Sequence, residues 1–335
     1  MMDISHKESI PEKKRWLSLL NTSPFASPFQ TLEYLNVIKE LPDYDAEVFS
    51  LYEHEELKAL MVITIMQDSG IKGKFSKRGI IFGGPVINEN VTKDELAFFL
   101  KESCEKLKGQ VIYLETRNLF DYSLYKESFN DAGWEYKPYL NYQLSLSDIE
   151  RDKILSIFQY NRRREIKQSL ARGANYFECN DEIEIEEIYN ILNELYRSRV
   201  KVPLPTLGYF LTLFRKEIIK VFIVKHNNKI VGGSFCPVLP GKRIYTYYYC
   251  GIRNYHKKIF PTHLAVLAAI EYAVDHHIPI IDFMGAGKPE IEYGVRNYKS
   301  KFGGTLVEHG RFIKILDPLL YNIGKVGLKV LKILK

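Results

Sequence analysis

In the stretch "YGVRNYKSKFGGT", residues 293–305, two lysines, Lys299 and Lys301, stand among aromatic residues and glycines, shortly after the apolar run "IPIIDFM". A lysine ammonium is a compact point charge with three donors on a flexible stem. It suits a phosphate, or the oxyanion that develops when an amine attacks an ester or thioester carbonyl. The plainer reading sets both lysines in water on the outside of a short helix, while Tyr298 and Phe302, four apart, pack inward. Lys301 fits that plainer reading, and Lys299 is the candidate for chemistry.

Asp282 closes the apolar run just ahead of "GAG". A carboxylate there either orients or deprotonates an acceptor amine, or it accepts backbone N–H groups of the turn or pairs with a nearby cation. In "ILSIFQYNRRREIKQSLARG", Ile154, Phe158, Ile166 and Leu170 share one helical face. Arg162 falls on that apolar stripe, whereas Arg163 and Lys167 form a separate basic ridge. Arg162 either snorkels from a packed stem or reaches a cleft between domains to clasp a phosphate or carboxylate. The ridge is either solvated or a contact for a diphosphate or tRNA. Earlier, "KGKFSKRGIIFGGPVI" places Lys72 before a strand and Gly83-Gly84-Pro85 after it, which marks either an acceptor site or a tight strand turn. Arg117, ending "YLETR", either meets the same cleft or pairs with Glu115.

Positioning these side chains requires regular elements. "AEVFSLY", "LKALMVITIM", "KRGIIFGGPVI" and "QVIYLETR" read as strands, with helices over "TLEYLNVIKEL", "KDELAFFLKESCEKL" and "DYSLYKESFNDAGW". The pattern restarts near Asp148 with one long helix predicted to run to Gly173, which puts a domain boundary between residues 147 and 148. The second half continues with helices over "EIEEIYNILNELYRSR" and "TLGYFLTLFRK" and the meander "IKVFIVKHNNKIVGGSFCPVL" and "RIYTYYYCGI". A helix over "PTHLAVLAAIEYAVDHH", the strand "IPIIDFM" and strand-like "GTLVEHGRFIKIL" complete it to residue 316. Residues 317–335, "DPLLYNIGKVGLKVLKILK", form an amphipathic basic helix. It either packs on its own domain or rests its lysine-rich end on an anionic membrane surface.

That order of elements, with "YNRRREIKQSLARGANY", "IDFMGAG" and "GVRNYKSKFGG", resembles the FemABX family, GNAT-like enzymes that add amino acids to the peptide of peptidoglycan precursors. The resemblance spans most of the chain, from "FQTLEYL" to "GGTLVEHGRF". It implies an α+β fold of two tandem GNAT-like domains, residues 1–147 and 148–316, each a mostly antiparallel mixed sheet flanked by helices. It further implies an acyl or aminoacyl transferase in which Lys299 supports negative charge beside the acyl donor and Asp282 aids the amine. Arg162, Arg163, Lys72, Arg117, Tyr298 and Phe302 are the substrate-binding residues of this reading. The donor is an aminoacyl-tRNA or an acyl-CoA, with no tightly bound cofactor, and the acceptor is a nucleotide- or lipid-linked glycan or peptide precursor.

Two departures from the family pattern bear on the donor. "GIRNYHKKIFPTHL" lacks the glycines with which acetyl-CoA-using GNAT proteins cradle a pyrophosphate, although Arg253, His256, Lys257 and Lys258 keep the stretch cationic. The second half also lacks the long charged helical hairpin that some FemABX members insert. Two alternatives remain: an acyl-CoA or acyl-carrier-dependent N-acyltransferase for a capsular sugar or lipid amine, and a non-catalytic precursor-binding protein.

Composition bounds these readings. A chain of 335 residues that is 46% hydrophobic has material for two cores and no sign of disorder. Its net charge of +6 is too small to announce a nucleic-acid protein, so local basic patches matter more than the total. Cys104, Cys179, Cys236 and Cys250 lie far apart and read as reduced, buried thiols. No metal-ligand spacing, serine-hydrolase elbow or P-loop is present. "MMDISHKESIPEKKRW" lacks the apolar core of a secretory signal, and no run approaches a membrane span, so the expected location is the cytoplasm, with a peripheral contact at the membrane's inner face as the alternative that the C-terminal helix leaves open.

Overall fold

The computed structural model describes residues 2–6, 10–68, 73 and 75–333. Contacts divide the chain into two units, Met1–Tyr139 with Glu308–Lys335, and Leu140–Val307. Each carries its own sheet, as expected of a tandem α+β arrangement.

In the first unit the order is β1 (Met2–His6), α1 (Lys13–Thr22), α2 (Leu32–Glu40), β2 (Tyr44–Glu53), β3 (Glu56–Met66), β4 (Arg78–Gly83) and β5 (Val86–Ile87). Next come α3 (Lys93–Leu107), β6 (Tyr113–Asn118), α4 (Lys126–Asp131) and β7 (Glu135–Lys137). The second unit contains β8 (Leu140–Ser145), α5 (Ile154–Ile157), α6 (Tyr160–Ala171), β9 (Asn175–Glu178), α7 (Glu182–Leu195) and α8 (Leu207–Arg215). It continues with β10 (Ile219–His226), β11 (Lys229–Leu239), β12 (Arg243–Tyr245), β13 (Tyr248–Gly251), α9 (Pro261–Asp275), β14 (Ile280–Gly285), α10 (Gly294–Ser300) and β15 (Thr305–Glu308). The chain then returns to the first unit with β16 (Arg311–Ile315) and α11 (Pro318–Ile333).

Among the described residues the first sheet runs β1-β2-β3-β4-β6-β16-β7, with β5 on β3, and is antiparallel except for β4 and β6. The second runs β15-β8-β14-β12-β11-β10-β9, with β13 on β11, and here β12 and β14 are parallel. Parallel neighbours need a crossover, which α9 supplies. Leu264, Val266, Leu267 and Ile270 bury it against the sheet in one cluster with Val231, Cys236 and Ile281. All four cysteines are free and buried.

The units divide at residues 139 and 140 rather than at the expected 147 and 148, because β8 pairs with β14 of the second sheet. The strand-like run "GTLVEHGRFIKIL" is two strands in two sheets: β15 joins β8, while β16 inserts between β6 and β7. The insertion is driven by packing, since Phe312 is 1% exposed and its ring stacks 3.9 Å from that of Phe129. The long helix expected over residues 148–173 is broken instead. Phe158 adopts an extended backbone with ψ of 147° and turns its ring into the core 5.3 Å from Phe302, and the Gln159 N–H donates to the Lys301 carbonyl at 3.1 Å.

Gly83 and Gly84 form the tight turn, not a ligand approach. Their φ values are +87° and +82°, and a Cβ on Gly84 would stand 2.5 Å from the Tyr122 hydroxyl. That hydroxyl lies 3.0 Å from the Gly83 carbonyl and 2.8 Å from that of Pro85, so the ring occupies the space a substrate would need.

Candidate functional site

The second sheet opens where β12 and β14 stop pairing. Their parallel register covers Ile244 with Ile281 and Tyr245 with Asp282. The Thr246 N–H then donates to the Asp282 carbonyl at 3.0 Å, the Tyr247 N–H folds back to the Tyr245 carbonyl at 3.0 Å, and β13 continues on β11 alone. On the other strand, β14 shifts register against β8 between Asp282 and Gly285, with Met284 at φ +61°. Two parallel strands thus part just beyond Asp282.

Asp282 is completely buried and both of its oxygens are taken. Oδ2 accepts from Gln143 Nε2 at 2.8 Å, and Oδ1 accepts from the Met284 N–H at 2.5 Å. Burial raises its pKa above the usual carboxylate value, against the pull of Gln143, Arg243, the Met284 N–H and Lys299.

Lys299 reaches this parting from α10. It is only 5% exposed, and its Nζ donates to the Gly285 carbonyl at 2.7 Å. An ammonium has three donors, and the other two have no hydrogen-bond partner among the described residues. Burial pushes its pKa down to about 8, while the nearby Asp282 carboxylate pulls it back up. Arg296, one turn earlier on α10, donates Nε to the Ala286 carbonyl at 2.9 Å and also bonds the Lys288 carbonyl, tying α10 to the segment after β14.

Arg162 of α6 holds the opposite side of the same helix. Its guanidinium lies 4.3 Å from the ring centroids of both Tyr298 and Phe302, and Nη2 donates to the Tyr298 carbonyl at 3.3 Å. The side chain is 2% exposed, and its Nε and Nη1 have no hydrogen-bond partner among the described residues. Tyr298 also stacks on Tyr249 at 5.7 Å. Its hydroxyl lies 3.2 Å from the Thr262 carbonyl and 3.3 Å from His263 Nδ1. Burial, then the charges of Arg162 and Lys301, hold His263 far below the ordinary imidazole pKa, so the ring is neutral. Its Nε2 lies 3.2 Å from the Glu165 carboxylate. The arrangement can fix one buried ammonium in a defined place, which is what stabilising a developing oxyanion requires.

Residues 214–327, from the end of α8 into α11, match the model of the FemAB family. That third of the chain is FemAB-like. FemX shares its fold with a TM-score of 0.73 at 13% identity, over 95% of this chain and 99% of that one. The C-terminal domain of a putative lysylphosphatidylglycerol synthetase from Agrobacterium fabrum follows with a TM-score of 0.59 at 11% identity, covering 95% of each chain. A tandem GNAT protein from the clavulanic acid biosynthesis pathway has a TM-score of 0.58 at 10% identity, over 95% of this chain and 99% of that one. The chain therefore has the tandem GNAT fold. No curated protein is significantly similar in sequence.

The residues singled out from the sequence divide accordingly. Lys299, Asp282, Arg162 and Tyr298 gather around α10 and the end of β14. Phe302 is fully buried between Phe158 and Phe283, so it belongs to the core and is corrected from substrate contact to support of the helix end. Arg162 neither snorkels nor reaches a cleft; its whole guanidinium is sandwiched behind α10. Arg163, its neighbour, is half-buried, and none of its side-chain nitrogens is paired among the described residues. Arg117 lies in the first unit, with Nε 3.4 Å from Glu115, which also holds Arg311 at 2.5 Å, so it takes the ion-pair alternative. Lys72 lies outside the described residues. Gln143, Arg296, His263 and Glu165 were not singled out beforehand. A lone polar residue in a strand, or a cation between two glycine-rich turns, carries no spacing signal until the sheet brings it to Asp282 or Lys299.

Proposed function

We propose that this chain transfers an activated aminoacyl group to an amine of a cell-wall peptidoglycan precursor. The observation that carries the reading is the buried ammonium of Lys299, with two donors unpaired among the described residues, at the parting of β12 and β14 in a GNAT-type sheet. In the reaction the acceptor amine attacks the carbonyl carbon of the donor ester, and the carbonyl oxygen takes up negative charge. Lys299 donates to that oxygen in a site where burial strengthens the interaction. The tetrahedral intermediate collapses to an amide, and the ester oxygen leaves with a proton from the attacking amine.

Asp282 acts through Lys299 in this scheme. With both oxygens occupied it holds the turn at Met284 and keeps a negative charge near the ammonium, so it is a positioning residue rather than the base. Arg162 positions α10 in the same sense. Arg163, with its guanidinium unpaired, is the cation offered to a precursor phosphate.

The start of α9 favours an ester donor over coenzyme A. A pyrophosphate cradle needs free N–H groups there, but Pro261 occupies the first turn and has none, and the Phe260 N–H is spent on Ser169 Oγ at 2.9 Å. The test incubates the purified full-length chain and a precursor extract with tRNA charged with labelled amino acids, or with labelled acyl-CoA. Label moving from tRNA to an amine-bearing precursor is the expected result. Transfer from acyl-CoA alone, or from neither donor, contradicts the proposal.

The pH profile carries a signature of the same lysine. Its ammonium form prevails below about pH 8, so the transfer rate constant falls as pH rises through about 8. The decline should then approach roughly tenfold per unit. Asp282→Asn removes the carboxylate that raises the lysine's pKa, so the alkaline limb moves to lower pH. An alkaline limb left in place by Asp282→Asn would detach Asp282 from Lys299.

A further inference from the structure

The helix α11 presents two unlike faces. On one, Tyr321 packs edge-on against Tyr113 with ring centroids 5.4 Å apart, and a Cβ on Gly324 would stand 2.9 Å from the Phe75 carbonyl. That face holds the helix to the first unit. On the other, Leu319, Ile323 and Val326 are 70%, 45% and 61% exposed. Their spacing of four and three residues places them within an arc of about 60°. In sequence the same spacing continues to Val330.

A helix already docked through one side gains nothing in water from a second apolar stripe, so the exposed stripe points to a further partner. Charge selects which. From residue 318 to 335 the chain has Lys325, Lys329, Lys332 and Lys335 and no aspartate or glutamate. A second copy meeting through this helix would set lysines against lysines, which is unfavourable. An anionic lipid surface accepts both the aliphatic side chains and the ammonium groups. No helix among the described residues is long and apolar enough to cross a membrane, so the contact is one of lying on the surface.

We propose that α11 docks the protein on an anionic bilayer, with Leu319, Ile323 and Val326 entering the acyl boundary and the lysine-rich, acid-free sequence of residues 318–335 supplying the charge that favours anionic headgroups. This contact is independent of the transfer reaction, and its test needs no turnover. The full-length chain is floated with phosphatidylcholine vesicles with and without phosphatidylglycerol, and its mass in solution is measured by light scattering. The wild type is expected to be monomeric and to bind the phosphatidylglycerol vesicles only. Replacing Lys325, Lys329 and Lys332 by alanine should weaken binding by roughly fivefold per lysine. Ile323→Asp with Val326→Asp should abolish it with the melting temperature unchanged, because both side chains are exposed. Equal binding to both vesicle types, or binding retained in the double aspartate variant, would overturn the proposal. A wild-type dimer that this variant dissociates would assign the stripe to a second copy instead.

Discussion

Lys299→Met is expected to lower the transfer rate constant about 10²–10³-fold, the usual loss when one donor to a developing oxyanion is removed from a buried site. Methionine fills a similar volume, so the loss isolates the charge and its donors from the packing of α10. The effect should appear in the rate constant more than in substrate binding, because the oxyanion exists only in the transition state and the intermediate. Single-turnover transfer with the variant, together with its far-ultraviolet circular dichroism, checks both parts. A folded variant with near wild-type transfer would remove Lys299 from the chemistry.

The second large effect is one of stability. Gly304→Ala is expected to destabilise the second unit by about 3 kcal/mol, the upper part of the range for a strained backbone position. Gly304 has φ of +90°, and a Cβ there would stand 2.3 Å from the Gln143 carbonyl oxygen and 3.0 Å from its carbon. Both atoms are backbone of β8, so no side chain can swing aside. Gln143 also hydrogen-bonds Asp282 at 2.8 Å, so any shift of β8 reaches the site as well. A thermal melt should show a decrease of roughly 6–12 °C. The control is Gly294→Ala on the same α10 segment, where nothing lies within 4 Å and the melt should stay unchanged. Equal effects at the two glycines would refute the steric account.

These two residues show what could be read from the sequence. Lys299 and Gly304 sit in one short string, where an aromatic-lysine pair and a double glycine are local features with local causes. The same string held the inward packing of Tyr298 and Phe302, four apart on one helical face, only as the alternative to their substrate-binding reading. The burial of Lys299 was not readable there, because it depends on β14 arriving beside α10 with its carbonyl at Gly285. Asp282 was legible as a residue but not as a role, since the groups that occupy its oxygens include Gln143, far away in the chain.

Element types were more legible than their partners. The 3.6-residue pattern runs unbroken through Phe158, and only the contact of its ring with Phe302 shows why the helix stops there. The alternation in "GRFIKIL" marks a strand, yet nothing local says that it pairs with β6 and β7 instead of extending the second sheet. Long-range pairing also moved β8 across the expected boundary. Arg162 was placed correctly on the apolar stripe of its helix, but its stacking partners come from a segment more than a hundred residues later.

The measurement that bears most directly on the central claim is mass spectrometry of peptidoglycan precursors from the native host with and without this gene, complemented by wild type or by Lys299→Met. The expected result is a precursor whose mass drops by one amino-acid residue when the gene is absent and is restored by wild type alone. An unchanged precursor pool without the gene, or full restoration by Lys299→Met, would contradict aminoacyl transfer by this site.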